Sequence, residues 1–382
     1  MSENPLRIVV DAQALVSQSA GIGRYARGVL PGVRLAFPDA DLVGFTAADP
    51  TALEETTAAG AHALANAAID LRRLPVHRRH LDRVWSRLPL PGILEARCGR
   101  ADLVYSPDFS APPALGARRV VTIHDLAFEI VPQFAPAPLR DYLRRVVAHE
   151  TRRATRIAVV SETTRRDLVE RHNVAAERID IVPNGVDGRF FDSLPPDAAL
   201  RAALRLPERY LLTVGTLEPR KNHLTLLAAL DRSRAIRDLP LVVAGRRGWD
   251  DEAIVAALRS RAHSGRVIWL QHVADHHLPA LYAGASAVIY PSWYEGFGLP
   301  ALEGLAAGAP VVTSDAPALL EVGGDATLVA PPGDADALAD AIDAAVFYPD
   351  SDRRARGIAR ARTWSWDDAH IRLAATLRAS LE

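Results

Sequence analysis

The chain has 382 residues, 49% apolar and 24% charged, with a formal net charge of −1 and a single cysteine. That length exceeds one ordinary core and suits two domains, and the balanced charge excludes a molecule committed as a whole to nucleic acid, so any bound anion must be held by local chemistry. A disulfide framework is excluded and a reducing, cytoplasmic setting is expected, because the opening run MSENPLRIVV is too short for a signal peptide and no stretch reaches the ~18 apolar residues of a membrane span.

In chain order, short apolar runs alternate with helical stretches. Arg7–Asp11, Leu42–Phe45, Asp102–Ser106, Val120–Ile123, Ile157–Val160 and Ile179–Val182 read as buried parallel strands, with helices such as Leu139–Thr155 and Glu162–His172 between them. Pro183-Asn184-Gly185 closes this series, and the proline- and aspartate-bearing segment Ser193–Pro207 reads as an interdomain connection. The alternation restarts with Tyr210–Val214, Leu241–Ala244, Val267–Leu270, Ala287–Tyr290 and Pro310–Thr313, and a helix over Trp364–Leu381 ends it. Alternating βα units predict two parallel sheets, each with helices on both faces. Ligands bind outside the carboxyl ends of such strands, so two sheets facing one another would place the site in the cleft between them.

Four motifs follow strands. PSWYEGFGLPALE, Pro291–Glu303, begins directly after Ala287–Tyr290. Gly296 and Gly298 permit close backbone approach, Pro300 suits a first helical turn, and the amides of Gly298 and Leu299 would offer an anion site. Glu295 before the helix and Glu303 on it are bidentate acceptors suited to vicinal sugar hydroxyls. Two glutamates alone would read as a solvated loop residue and a capping charge; the glycines and the strand–loop–helix context favour a ligand.

GTLEPRKN, Gly215–Asn222, places Arg220 and Lys221 at the start of the next helix, where a departing diphosphate with about two to three negative charges needs cations. Cations at a helix N-terminus oppose its dipole, so their placement needs a reason; partial neutralisation by Glu218 keeps a solvated basic end as the other reading. His124-Asp125 follows Val120–Ile123: the histidine is suited to donate to a sugar hydroxyl, and the aspartate to orient a ring or bind an acceptor hydroxyl, although a histidine after a strand is more often structural. Gly21-Ile22-Gly23 lies too far beyond the first strand for a dinucleotide fingerprint, and reads as a loop touching phosphate or acceptor. The Asp-x-Asp pairs at 39–41, 334–336 and 350–352 do not follow strands of the expected cleft, so no metal clamp is expected. Cys98 reads as an ordinary thiol.

Glu295–Asp315 resembles the E-x7-E segment of the retaining GT-B glycosyltransferases of family 4. GTLEPRKN, VSETTRRDL (Val160–Leu168), VPNGVD (Val182–Asp187) and TIHDLAF (Thr122–Phe128) are similar to that family in the same order, over nearly the whole chain. GIGRY with TIHDLAF is most similar to bacterial enzymes of O-antigen and related polysaccharide assembly, many of them mannosyltransferases or rhamnosyltransferases.

The resemblance implies two Rossmann-like domains around a central cleft: residues 1–190 with 364–382 on the acceptor side, and 191–363 on the donor side. It implies donor-sugar binding by Glu295, ribose binding by Glu303 and diphosphate binding by Arg220 and Lys221. Gly298 and Leu299 amides would support phosphate beside Phe297, and His272-Val273 would meet the base. His124 and Asp125 would be catalytic, with His124 near the transferred sugar, and Gly23 would belong with the donor-binding residues. Thr216 stands where many members carry the first phosphate arginine, and Arg220 would compensate. A nucleotide-diphosphate sugar, first GDP-mannose and then dTDP-rhamnose or UDP-hexoses, would be co-substrate without metal or cofactor, and a glycan or lipid-linked acceptor would receive the sugar with retention.

Leu71–Arg100 carries eight arginines against Asp82 and Glu95, interleaved with Trp85 and aliphatic residues. It is expected either to meet anionic lipid or a lipid-diphosphate acceptor, or to form an amphipathic helix with a solvated basic face. Two other functional readings stay open. One is a non-transferring sugar-nucleotide enzyme of epimerase type, and the other is a binding protein without catalysis.

Overall fold

The computed structural model describes residues 5–18, 21–47, 58–85, 92–234 and 239–382. By contacts the chain divides into two units: Met1–Leu126, Asp141–Gly185 and Trp366–Glu382 form the first, and Ala127–Arg140 with Val186–Ser365 the second. Ala127–Arg140, assigned to the first domain by the sequence, therefore groups with the second.

The first unit holds strands β1 (Arg7–Asp11), β2 (Asp41–Ala47), β3 (Asp70–Leu74), β4 (Leu103–Ser106), β5 (Arg118–Ile123), β6 (Arg156–Val159) and β7 (Ile179–Ile181). They make a seven-stranded parallel sheet in the order β3-β2-β1-β4-β5-β6-β7. The second unit holds β8 (Leu211–Val214), β9 (Leu241–Ala244), β10 (Val267–Leu270), β11 (Ala287–Tyr290), β12 (Val311–Ser314) and β13 (Leu328–Ala330), ordered β10-β9-β8-β11-β12-β13. Both are doubly wound Rossmann-type sheets, in which the winding direction reverses between the first and fourth strands. Central strands such as β4, β9 and β11 are buried along their whole length, as sheets covered on both faces require.

The stretch 71–100 is not one amphipathic helix. Its start lies in the edge strand β3, and helices Arg78–Trp85 and Ile93–Cys98 follow; residues 86–91 lie outside the described residues. Leu81, Trp85, Leu94 and Cys98 are buried, so these apolar side chains serve the core and not an outer surface. Among the described residues no helix is long and apolar enough to cross a membrane.

Within the first unit the helix Trp366–Ala379 lies on the helix Ile22–Ala36. Gly28 and Gly32 make the close approach possible: a Cβ on Gly28 would stand 2.3 Å from the Trp366 ring, and one on Gly32 would stand 3.0 Å from the His370 backbone. His370 Nε2 donates to the Gly28 carbonyl at 2.7 Å, and Arg378 donates to the carbonyls of Ala36 and Leu35 at 2.9 and 2.8 Å. Gly28→Val is therefore expected to lower unfolding stability by about 1–3 kcal/mol through overpacking, read from a urea denaturation midpoint. An unchanged midpoint would contradict this packing.

Candidate functional site

The second sheet sets β8 beside β11 at the point where its winding reverses. The loops after those two strands are GTLEPRKN and PSWYEGFG, so neighbouring strands bring together residues 74 positions apart in sequence. Asn222 ties the two loops: its side-chain amide donates to the Pro291 carbonyl at 3.0 Å and to that of Pro332. Trp293 N also donates to the Arg220 carbonyl at 2.9 Å.

Arg220 and Lys221 do not open a helix, as the sequence suggested. They belong to a single 3-10 turn, Pro219–Lys221, and the helix His223–Leu230 begins only after Asn222, which is left-handed at φ 61°. The turn aims both cations at one carboxylate. Lys221 Nζ lies 2.6 Å from Glu295 Oε1, and Arg220 Nη1 lies 3.0 Å from Glu295 Oε2. Arg220 Nη2 pairs with Glu218 at 2.6 Å, and Nη1 donates to the Tyr294 carbonyl at 2.7 Å. Tyr290, the last residue of β11, donates its hydroxyl to Glu295 Oε1 at 2.9 Å and accepts from Lys221. Glu218 and Glu295 are 3% and 6% exposed, so water screens this cluster little.

Burial pushes the Glu295 carboxyl up, but Arg220 and then Lys221 outweigh it and hold the acid down at about 2. Burial, with Glu295 beside it, pushes the Tyr290 phenol well above its ordinary value. The carboxylate and the neutral phenol are thus fixed across the physiological range.

The helix Leu299–Ala306 starts next to this cluster in sequence. Its N-cap is Gly298, at φ 108°, where a Cβ would also stand 2.3 Å from Leu319 Cδ2. Ala301 and Leu302 are the first amides to bond back, both to the Gly298 carbonyl, so those of Gly298 and Leu299 lie ahead of them at the positive end of the helix. Glu303, on the second turn, is buried to 1%. Phe297 is buried edge-on against Trp364, with ring centroids 5.1 Å apart, so its side chain serves packing. Thr216 is half-buried after β8, and His272 is exposed and Val273 half-buried after the edge strand β10.

A further support was invisible in the sequence. Phe134 stacks on Trp293 at 5.5 Å, and Trp249 Nε1 donates to the Phe134 carbonyl at 3.0 Å, so Ala127–Arg140 braces the loop carrying Glu295. Tyr290 was also missed. Its place as a polar strand terminus just before the motif was the available signal.

In the first unit His124 follows β5, where its ring meets Tyr25 edge-on at 4.9 Å. Its Nε2 is 2.9 Å from the Pro107 carbonyl, which can only accept, so Nε2 carries the proton and Nδ1 is left as acceptor. The N–H of the neutral imidazole, expected from the sequence to suit a sugar hydroxyl, is engaged here by the backbone. Burial lowers the His124 pKa against the opposing pull of Asp108, the Pro107 carbonyl and Asp125. Asp125 is half-buried beside it. Gly23 stands on the first turn of Ile22–Ala36, where a Cβ would approach Gln18 O to 2.0 Å; Ser19 and Ala20 lie outside the described residues. Arg78 joins the end of β1 to the loop after β4 by pairing with Asp11 at 2.9 Å and donating to Ser110 at 3.3 Å.

The Asp-x-Asp pairs have structural employment. Asp334 and Asp350 cap helices, and Asp41 pairs with Arg7 at 2.7 Å. Among the described residues no group of three His, Cys, Asp or Glu side chains is placed to hold a metal ion.

His223, buried beneath the turn, is pushed down to about 4, first by burial and then by Lys221, with the Glu218 backbone opposing. Between 6.5 and about 4 the unfolded chain binds a proton that the folded one refuses, so stability is lost as pH falls through that window. The stability difference between wild type and His223→Leu should accordingly shrink by about 1.4 kcal/mol per pH unit across it, in denaturation series at stepped pH. A difference independent of pH would contradict the buried neutral imidazole.

Two family profiles match the chain: Glycosyltransferase Family 4 over residues 33–189 and Glycosyl transferases group 1 over residues 198–364. O-antigen chain mannosyltransferase B of Escherichia coli is 35% identical over 276 residues, covering 70% of this chain and 72% of that protein. The serotype-specific mannosyltransferase WbdA of Escherichia coli is 31% identical over 223 residues, 55% of this chain but only 27% of that protein. Sucrose-phosphate synthase of Thermosynechococcus elongatus superposes with a TM-score of 0.75 at 20% identity, covering 98% of both chains.

Proposed function

Because the chain belongs to the family-4 glycosyltransferases of the GT-B fold, we propose that it moves a hexose, first of all mannose from GDP-mannose, onto a glycan or lipid-linked acceptor in polysaccharide assembly. The observation carrying this reading is the buried Glu295 carboxylate held by Lys221 and Arg220, one loop before the glycine-capped start of Leu299–Ala306. Similarity to an O-antigen mannosyltransferase supports the sugar.

On this reading Arg220, Lys221 and the amides of Gly298 and Leu299 receive the diphosphate, and their preorganised positive charge stabilises it as it leaves. Glu295 accepts from donor-sugar hydroxyls and Glu303 from the ribose, while His272-Val273 borders the base and Thr216 lines the turn. Two cations serve the leaving group without a metal. The acceptor hydroxyl attacks from the face the diphosphate leaves, giving retention, and its proton passes to the departing phosphate oxygen. His124 and Asp125 act beside the transferred sugar, with His124 also positioning the Pro107 loop, and Gly23 meets the donor.

Nucleoside-diphosphate release from GDP-mannose, dTDP-rhamnose and UDP-hexoses, with and without glycan acceptors and with EDTA throughout, tests this. Lys221→Ala is expected to lower kcat by about 10²–10³ while leaving the fold intact. Donor consumption without acceptor would point instead to a non-transferring enzyme, and release from none of the donors would remove the proposal.

We further place the enzyme in the cytoplasm, with the arginines of 71–100 other than Arg78, which Asp11 already holds, meeting anionic lipid at the inner membrane face. Since Leu81, Trp85 and Leu94 are buried, binding should be electrostatic. Co-sedimentation with phosphatidylserine-containing vesicles is expected at low salt and lost at high salt; no pelleting at low salt would retire the membrane contact.

A further inference from the structure

Resting on the reading that the second unit binds a nucleoside-diphosphate sugar, we infer that Glu218 and Glu295 are resident counter-ions, which the diphosphate must displace or oppose and which thereby set how readily the nucleoside diphosphate product leaves. The cluster holds two cations and two carboxylates, so its formal charge is zero. Arg220 is divided between Glu218 at 2.6 Å and Glu295 at 3.0 Å, and Lys221 is taken by Glu295 at 2.6 Å. The four side chains are 3–14% exposed, so their mutual attraction competes directly with that of any incoming phosphate.

The two carboxylates differ in what else they can bind. Glu295 lies in the loop that would meet the donor sugar, so sugar hydroxyls can occupy it and free Lys221 and Arg220 for phosphate. Once the sugar has gone, Glu295 returns to the cations and loosens the diphosphate. Glu218, 3% exposed, takes Arg220 Nη2, the nitrogen that Glu295 does not pair with, and has no such exchange; it weakens the grip of Arg220 on donor and product alike. Glu218 is thus a positioning residue acting through Arg220, while Glu295 favours donor over product. A cluster without these acids would hold its product and stall.

Isothermal titration with GDP, UDP and their sugars tests the assignment on wild type, Glu218→Gln, Glu218→Asp and Glu295→Gln, each checked for folding by circular dichroism. Glu218→Gln is expected to tighten donor and nucleoside diphosphate alike by about tenfold, with a steeper loss of affinity in salt, and Glu218→Asp to stay within about threefold of wild type. Glu295→Gln is expected to tighten the nucleoside diphosphate but not the donor, moving their affinity ratio by about tenfold. Unchanged or weaker diphosphate binding in folded Glu218→Gln overturns the inference, as does an equal shift in Glu218→Asp, which would mark a structural effect. In both cases wild-type binding leaves the glycosyltransferase reading standing. Wild type that binds no nucleoside diphosphate overturns that reading itself.

Discussion

A carboxylate taken out of water stays ionised only where positive charge replaces the solvent, and Glu295 has that charge from two directions. The geometry behind this is narrow. Lys221 and Arg220 are adjacent, and on a regular helix adjacent side chains diverge. Here both long side chains nonetheless reach Glu295, from a 3-10 turn that ends at the left-handed Asn222, and Asn222 pins that turn to the neighbouring loop. Each remaining part of the site either supports that convergence, as Tyr290, Phe134 and Trp293 do, or adjoins it in sequence, as Gly298 does.

The two sheets solve one topological problem twice. Each winds outward from its first strand and reverses at the fourth, leaving a notch where two loops diverge. In the second unit Arg220, Lys221 and Glu295 line that notch. In the first, Arg78 ties the buried Asp11 at the end of β1 to the loop after β4. The same arrangement of strands thus carries a charge cluster in one unit and a tied arginine in the other.

Much of this was legible in the sequence, for identifiable reasons. Runs such as LVVA and AVIY are continuous and apolar because both their faces are covered, and their bounds match the structure, as do those of RIVVD and VIWL. Two of the edge strands lack that signature: β3 reads DLRRL and β13 has only three residues, so neither stood out. Arg220, Lys221 and Glu295 were found because each follows a strand. Their direct pairing was not, since it depends on β8 lying beside β11, a fact of strand order with no local trace. The brace from Phe134 to Trp293 is equally non-local. The proton on His124 Nε2 was hidden because it is set by a carbonyl on another loop.

The seat of the helix Trp366–Ala379 on Gly28 and Gly32 also bears on how the chain matures on the ribosome. The first unit begins with some of the earliest residues described, yet it is completed by a helix made only after the whole second unit has emerged. At about 5–20 residues per second that interval lasts on the order of ten seconds or more. Throughout it, the glycine-lined face of Ile22–Ala36 waits for that helix, while the second unit has all its strands once Ala330 has been made. Vectorial synthesis thus lets the unit with the charge cluster gather all its strands before the first unit receives the helix that seats on Gly28 and Gly32.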